Sequence, residues 1–359
     1  MTKIFLFALL MIFLFTNSDC KKGIVDPPPP PPVIDTTSHE FVWTINTLGD
    51  AASQLNDVTI INDTCAWAVG SIYLLDSNKK FIYPIYNAAY WNGKQWSLKR
   101  ISMNFRSNLI TPPLEGTLSF STTDVWLVGS LPIHGDGQNW NIFDLRSMAG
   151  LENISVSKAW GSKSSDMYFV GLGGSIVHYN GISWKKIESG TTLDIQDIWG
   201  SRDSKTGEQQ ILAVASNKFL DVGKKLLQIN NTITTAIADS GLPWSLSGVW
   251  FETNEKYYIV GDGMFMKSSL DSDRAWKGFH MGLTTYYTNI IRANNKNDIV
   301  VVGAFGAFLH YNGSTWKNYM GNELPAVNGS FYSVTIKNNL VIAVGHVGEK
   351  AIVVMGKRK

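Results

Sequence analysis

Five-residue hydrophobic runs recur along the chain, each closing on Val-Gly or, once, on Val-Ala. They are AWAVG (66–70), VWLVG (125–129), MYFVG (167–171), ILAVA (211–215), YYIVG (257–261), IVVVG (299–303) and VIAVG (341–345). Their last positions are 59, 42, 44, 46, 42 and 42 residues apart. The segments between them carry no convincing amphipathic helical period and are punctuated by Gly, Asn, Asp and Ser. A period in the low forties, with several short strands per unit, predicts an all-β fold. That fold is a seven-bladed β-propeller with four antiparallel strands per blade.

The clearest unit runs from Ile154 to Glu188 and divides into VSKAW (156–160), MYFVG (167–171), SIVHY (175–179) and SWKKIE (183–188). Asn180-Gly181 between the last two is a two-residue hairpin signal. The pattern returns at 291–319 with the same HYNG, and more weakly at YWNGKQW (90–96). Asp124, Asp166 and Asp298 each stand five residues before the unit's glycine, where an aspartate is expected to bond its own backbone in the first turn. Trp96, Trp184 and Trp316 each stand three residues after the hairpin glycine and are expected to pack between blades. His178 and His310 share one repeat position, which points to a structural role for both.

The seventh unit supplies only three strands before the chain ends, while FVWTINTL (41–48) has no unit of its own. Residues 41–48 are therefore expected to complete the last blade, with Trp43 in the role of Trp184. Closing the ring this way removes open sheet edges. Approximate blades are 57–101, 117–145, 156–188, 195–237, 246–280, 288–319 and 331–356 plus 41–48, within a domain spanning 41–359. Two units depart from the pattern. Blade one carries an insertion between its second and third strands. Blade four has Ala215 for glycine and lacks a hairpin Asn-Gly; it leaves six or eight blades open, although seven fits best.

Composition supports short half-buried strands: 44% of residues are hydrophobic and 17% charged, with 32 Gly, 13 Trp, 13 Tyr and 17 Phe. A net charge of +2 without a basic block beyond Lys357, Arg358 and Lys359 argues against nucleic acid as a partner. The amino terminus adds an address. Lys3 precedes the apolar run 4–15, which is short for a bilayer span and reads as a signal peptide over 1–19. TNSDC then resembles a bacterial lipoprotein signal in which Cys20 becomes the lipidated first residue, although Asn17 and Asp19 depart from the usual pattern. The alternative is a cleaved signal peptide with a free cysteine. Residues 20–40, including Pro27 to Pro32, form a stiff tether. The expected location is the cell envelope, anchored in the outer membrane and facing periplasm or surface, because Lys21 and Lys22 follow Cys20. Cys65 is expected as a buried small hydrophobe.

KAWGSKSSDMYFVGLGGSIVHYNGISW and DIWGS (197–201) resemble repeats of exported bacterial propellers likened to the sialidase-type and photosystem-assembly-factor propellers. The resemblance covers most of 41–356 and rests on turns, glycines and packing aromatics, so it implies a fold and not a reaction. A sialidase site would need three converging arginines, and of seven arginines only Arg292 falls at the end of an expected innermost strand.

Chemistry is otherwise sparse. No HExxH, CxxC or Asp-rich loop appears, so neither a metal nor a cofactor is expected, and no catalytic residue is assigned. His39 is expected to be solvated; His134, His280 and His346 are the histidines left as functional candidates. Ligands of propellers usually bind the face that carries the second-to-third-strand and blade-to-blade connections. There the sequence places Phe105, Arg106, Trp244, His280, Tyr286 and Tyr287, an aromatic set suited to a peptide or sugar. The expected function is a monomeric, membrane-anchored binding or assembly module for an envelope protein or glycan. The alternative is a glycan-active hydrolase or lyase with acids converging on the channel; Glu115, Asp239 and Glu323 are its sparse loop acids.

Overall fold

The computed structural model describes residues 36–203, 205–217, 223–279 and 282–359. Cys20, the signal segment and the proline run lie outside the described residues, as does His280. Seven four-stranded antiparallel sheets follow one another along the described chain. They span 54–99, 116–142, 156–186, 195–237, 246–278, 288–318, and 329–358 joined by 41–48. The fold is the expected seven-bladed propeller, with the first strand of each blade innermost. A small extra hairpin, Met103–Phe105 with Asn108–Ile110, rises between blades one and two.

The recurring Val-Gly has a steric cause. In six blades the innermost strand bulges near its start, as between Leu55 and Asp57 or Phe331 and Ser333. The bulge pushes a carbonyl against the end of the second strand. A Cβ on Gly70, Gly303 or Gly345 would overlap the carbonyl oxygen of Gln54, Tyr287 or Ser330. Blade four keeps its bulge yet carries Ala215 opposite Ile195, so its strands accommodate a methyl group there.

The ring closes as expected. Phe41–Leu48 pairs antiparallel with the third strand of blade seven from Phe41↔Arg358 to Leu48↔Ala351. Trp43 lies opposite Gly356, and Gly356 opposite Val341, four residues before Gly345. Trp184, Trp316 and Trp96 occupy the same register in their blades. Trp140 shares it too, and Trp276 directly precedes the short fourth strand of blade five. Each ring packs back on the preceding blade: Trp43 on Phe308 (centroids 5.1 Å), Trp140 on Trp67 (5.8 Å), Trp316 on Phe279 (5.5 Å), Trp184 on Phe143 (4.9 Å). Seven buried apolar clusters result, one at each blade–blade interface, including that between blades seven and one. The core is therefore a ring of interfaces with no single centre. Cys65 lies inside it, buried.

Three expectations about polar repeat positions are corrected. Asp124, Asp166 and Asp298 each accept from a histidine Nε2 on the third strand of their own blade, at 2.8 Å: His134, His178 and His310. Each histidine stands opposite the residue two after its aspartate on the neighbouring strand, so the two side chains share one face of the sheet and meet diagonally. His134 thus joins the structural set and leaves the functional candidates. In blade two the network continues, with Ser164 donating to Asp124 and accepting from Trp126 Nε1, both at 2.8 Å. His39 is half-buried against His310, because the segment before the closing strand lies along the blade-six hairpin, where Thr37 N donates to Asn312 O.

Candidate interaction face

Twelve large hydrophobic side chains among the described residues are exposed. Eight of them sit on the connections of one face, those from second to third strand and from blade to blade. These are Phe81, Ile82, Tyr83, Leu109, Met148, Leu172, Tyr286 and Phe305. Val42 and Ile45 are on the outermost closing strand, and Ile182 and Ile233 on hairpins between third and fourth strands. Single exposed hydrophobics carry no message, but their concentration on one face does.

The sequence-derived residues divide on that face. Phe105 is half-buried against the core between blades two and three, and the Arg106 guanidinium lies 5.1 Å over its ring. Arg106 also pairs bidentately with Asp144 at 2.7 and 3.1 Å, so both residues brace the extra hairpin. Tyr287 is half-buried, its hydroxyl 2.8 Å from Ser245 Oγ across blades five and six. Burial pushes its phenol upward. Trp244 is half-buried beside Pro243. Tyr286 is exposed and packs against Phe305 at 5.0 Å.

Tyr286 belongs to a cleft of about 500 Å³ lined by Pro243, Asp262, Phe265, Thr284, Thr285 and Tyr286. That volume falls in the range of binding pockets, roughly 300–1,000 Å³. Phe305 stands at its side with φ +57°, 51% exposed. The equivalent residue of blade three, two after the strand glycine, is Gly173 at φ +60°. A left-handed conformation suits glycine and burdens a bulky side chain by about 1–2 kcal/mol. The neighbouring connection holds Phe305 there: its N–H donates to Gly329 O (2.9 Å) and its carbonyl accepts from Val327 N–H (3.1 Å). Phe305 is absent from the residues that the sequence places on this face. The signal was present, an aromatic where the sister repeat has glycine.

Other concavities are differently built. A polar groove of about 810 Å³ between blades three and four is lined by Gly173, Gly174, Ser189 and Thr191. Its cations are engaged, Lys186 with Glu188 (2.8 Å) and Lys225 with Gly190 O (2.7 Å), and no aromatic face lines it for a sugar. The channel holds about 200 Å³ and is braced by two ion pairs. Asp57 of blade one meets Lys158 of blade three at 3.2 Å, and Asp197 of blade four meets Arg292 of blade six at 2.7 and 2.9 Å. Arg292 lies inside its strand, and Arg202 also ends an innermost strand, a correction to the sequence reading. Glu323 is held by Lys317 (2.6 Å) and Trp43 Nε1 (3.0 Å), and Glu115 accepts from Asn56 (3.2 Å). No three His, Cys, Asp or Glu among the described residues are grouped to hold a metal. His346 stacks on Tyr332 at 5.3 Å, and burial lowers its imidazole.

No protein-family model matches the chain, and no curated protein matches it in sequence. Solved structures do match as folds. YCF48 bound to D1 peptide is 16% identical, with a TM-score of 0.64 over 91% of this chain and 99% of that one. YCF48 from Cyanidioschyzon merolae is 17% identical, with a TM-score of 0.59 over 88% and 98%. Virginiamycin B lyase from Staphylococcus aureus is 10% identical, with a TM-score of 0.59 over 88% and 99%. At such identities the likeness establishes the propeller fold alone.

Proposed function

We propose that this propeller is a binding or assembly module that holds a segment of a partner protein at the Tyr286–Phe305 cleft, and that lipid at Cys20 tethers it in the cell envelope, on the outer membrane. The observation that carries the binding reading is Phe305. Its exposed ring and left-handed backbone oppose stability, and a residue kept against stability is best explained by a contact outside the chain. A neighbour of the same fold, YCF48, is bound to D1 peptide, which supports a protein segment as the ligand. A protein segment is favoured over a glycan because the cleft offers few polar side chains, Asp262, Thr284 and Thr285, to meet the many hydroxyls of a sugar. A binding role fits better than a hydrolase because the channel acids Asp57 and Asp197 are already paired with cations.

The test is a pulldown from envelope extracts with residues 34–359, comparing wild type with Phe305→Gly. A partner retained by wild type and lost by a folded variant is the expected result; equal recovery would remove the cleft from the interaction. Metabolic labelling with a fatty acid tests the anchor, with incorporation abolished by Cys20→Ser.

A further inference from the structure

The other exposed apolar region of this face is the blade-one insertion, which the cleft does not use. Its backbone is fixed by hydrogen bonds. Asp76 N–H donates to Lys80 O (2.8 Å), Lys79 N–H to Asp76 O (3.0 Å) and Ile82 N–H to Leu74 O (2.8 Å). Asp76 Oδ1 accepts from Asn78 and Lys80 N–H at 2.8 and 2.9 Å. The base is clamped by Arg100, whose Nε donates to Pro84 O at 2.9 Å while its guanidinium lies 4.0 Å over Tyr86. On this rigid support Phe81, Ile82 and Tyr83 stand 41%, 37% and 69% exposed in succession.

Lys79 and Lys80 precede them, both exposed and without an ion pair among the described residues. The single acid of the insertion, Asp76, is occupied by backbone N–H groups. Leu109, 74% exposed, tops the hairpin of the next connection on the same face. Phe81 leans on Tyr73 at 5.2 Å, yet the run of three apolar side chains keeps much of its surface in water, which marks a contact outside the chain.

We propose that residues 79–83 are a membrane-contact loop for an anionic bilayer surface. Three side chains on one connection offer much less than the roughly 1,000 Å² that a specific protein interface needs. They do match the bilayer interface, where apolar side chains enter the acyl boundary, tyrosine sits at headgroup level and lysines meet anionic phosphates. The loop shares its face with the Phe305 cleft, so a partner segment lying close to a bilayer could be met by both.

Vesicle cosedimentation tests this with residues 36–359, which carry the complete ring and all seven core clusters. Wild type is expected to sediment with phosphatidylcholine vesicles containing phosphatidylglycerol and not with phosphatidylcholine alone. Lys79→Gln with Lys80→Gln should weaken binding about twenty-fivefold, at roughly fivefold per lysine. Phe81→Ser with Tyr83→Ser should abolish it, and Phe305→Gly should leave it unchanged. No sedimentation with anionic vesicles overturns the proposal, as does sedimentation indifferent to both pairs of substitutions. If those pairs instead remove a protein partner without any vesicle effect, the loop is a protein-docking element and the lipid assignment fails.

Discussion

His39 Nδ1 and His310 Nδ1 lie 2.8 Å apart, so one of the two nitrogens carries hydrogen and the other accepts it. His310 Nε2 faces the Asp298 carboxylate at 2.8 Å and therefore carries hydrogen, which leaves its Nδ1 as an acceptor. His39 then donates from Nδ1 and accepts at Nε2 from the Thr315 hydroxyl, 3.1 Å away. Asp298 also accepts from Arg358 Nη2 and from Asn294 at 2.6 Å. Burial raises the Asp298 carboxyl, but these donors outweigh it and hold the group below its ordinary value. This network ties the segment before the closing strand, the blade-six hairpin and the final strand together.

Both imidazoles are held neutral. His39 is lowered to about 4, first by burial and then by His310 and Lys317, against Glu40. His310 is lowered by burial, which outweighs Asp298 and is reinforced by Arg358 and Lys317. The unfolded chain, with imidazoles near 6.5, takes up protons first as pH falls. Stability from this contact is therefore complete above about pH 6.5 and is lost as pH falls from there toward 4. Urea midpoints should drop across that window, and by less in His39→Gln. An identical drop in the variant would remove His39 from the effect.

Closure by residues 41–48 makes Trp43 a joint between blades seven and six. Trp43→Ala should destabilise the domain by about 2–4 kcal/mol, somewhat less than the roughly 3–5 of a fully buried aromatic because the ring is half-buried. Deleting 41–48 should abolish the cooperative melt. A deletion mutant that melts like wild type would refute the topology.

The strand glycines should be intolerant in proportion to their contacts. Gly303→Ala or Gly345→Ala forces a methyl group into a carbonyl of the bulged strand, at about 2–3 kcal/mol by the measure of overpacked sites. Ala215→Gly, the reverse change in blade four, should cost no more than about 1 kcal/mol. Denaturant midpoints separate the two cases.

Asp197 is fully buried and depends on Arg292. Arg292→Ala should cost about 3–5 kcal/mol because an unpaired charge is left inside. Adding Asp197→Ala should recover part of that loss. A double variant no better than the single would mean that packing, and not charge, dominates at this brace.

Phe305→Gly relieves a left-handed phenylalanine and should raise stability by about 1 kcal/mol. Tyr286→Ala should stay within about 0.5 kcal/mol of wild type. Tyr287→Ala should lose more, because it breaks the link to Ser245 between blades. Thermal melts of the three variants order them, and a destabilised Phe305→Gly would make that ring structural.

Much of this was legible in the chain. Local sterics repeat with the blade, so the Val-Gly strands, the hairpin glycines and Trp96, Trp184 and Trp316 announced the architecture, and the unmatched segment at 41–48 announced its closure. The aspartates were misread because their partners are histidines ten or twelve residues away across two strands, a separation that a turn rule does not span. Phe105, Arg106 and Tyr287 fell on the expected face, yet each is occupied by a neighbour inside the chain, and only the packed connections reveal that.

Counting repeats along the chain gives the strand order within a blade and the closing strand and favours seven blades; the structure fixes that number, because degenerate blade four still forms a four-stranded sheet. Tertiary structure decided which exposed aromatics remain free and which charges pair across the channel. It also brought Tyr286 beside Phe305 and His39 beside His310. Those relationships join residues from different blades, and the distance between them is set by the ring and not by their separation along the chain.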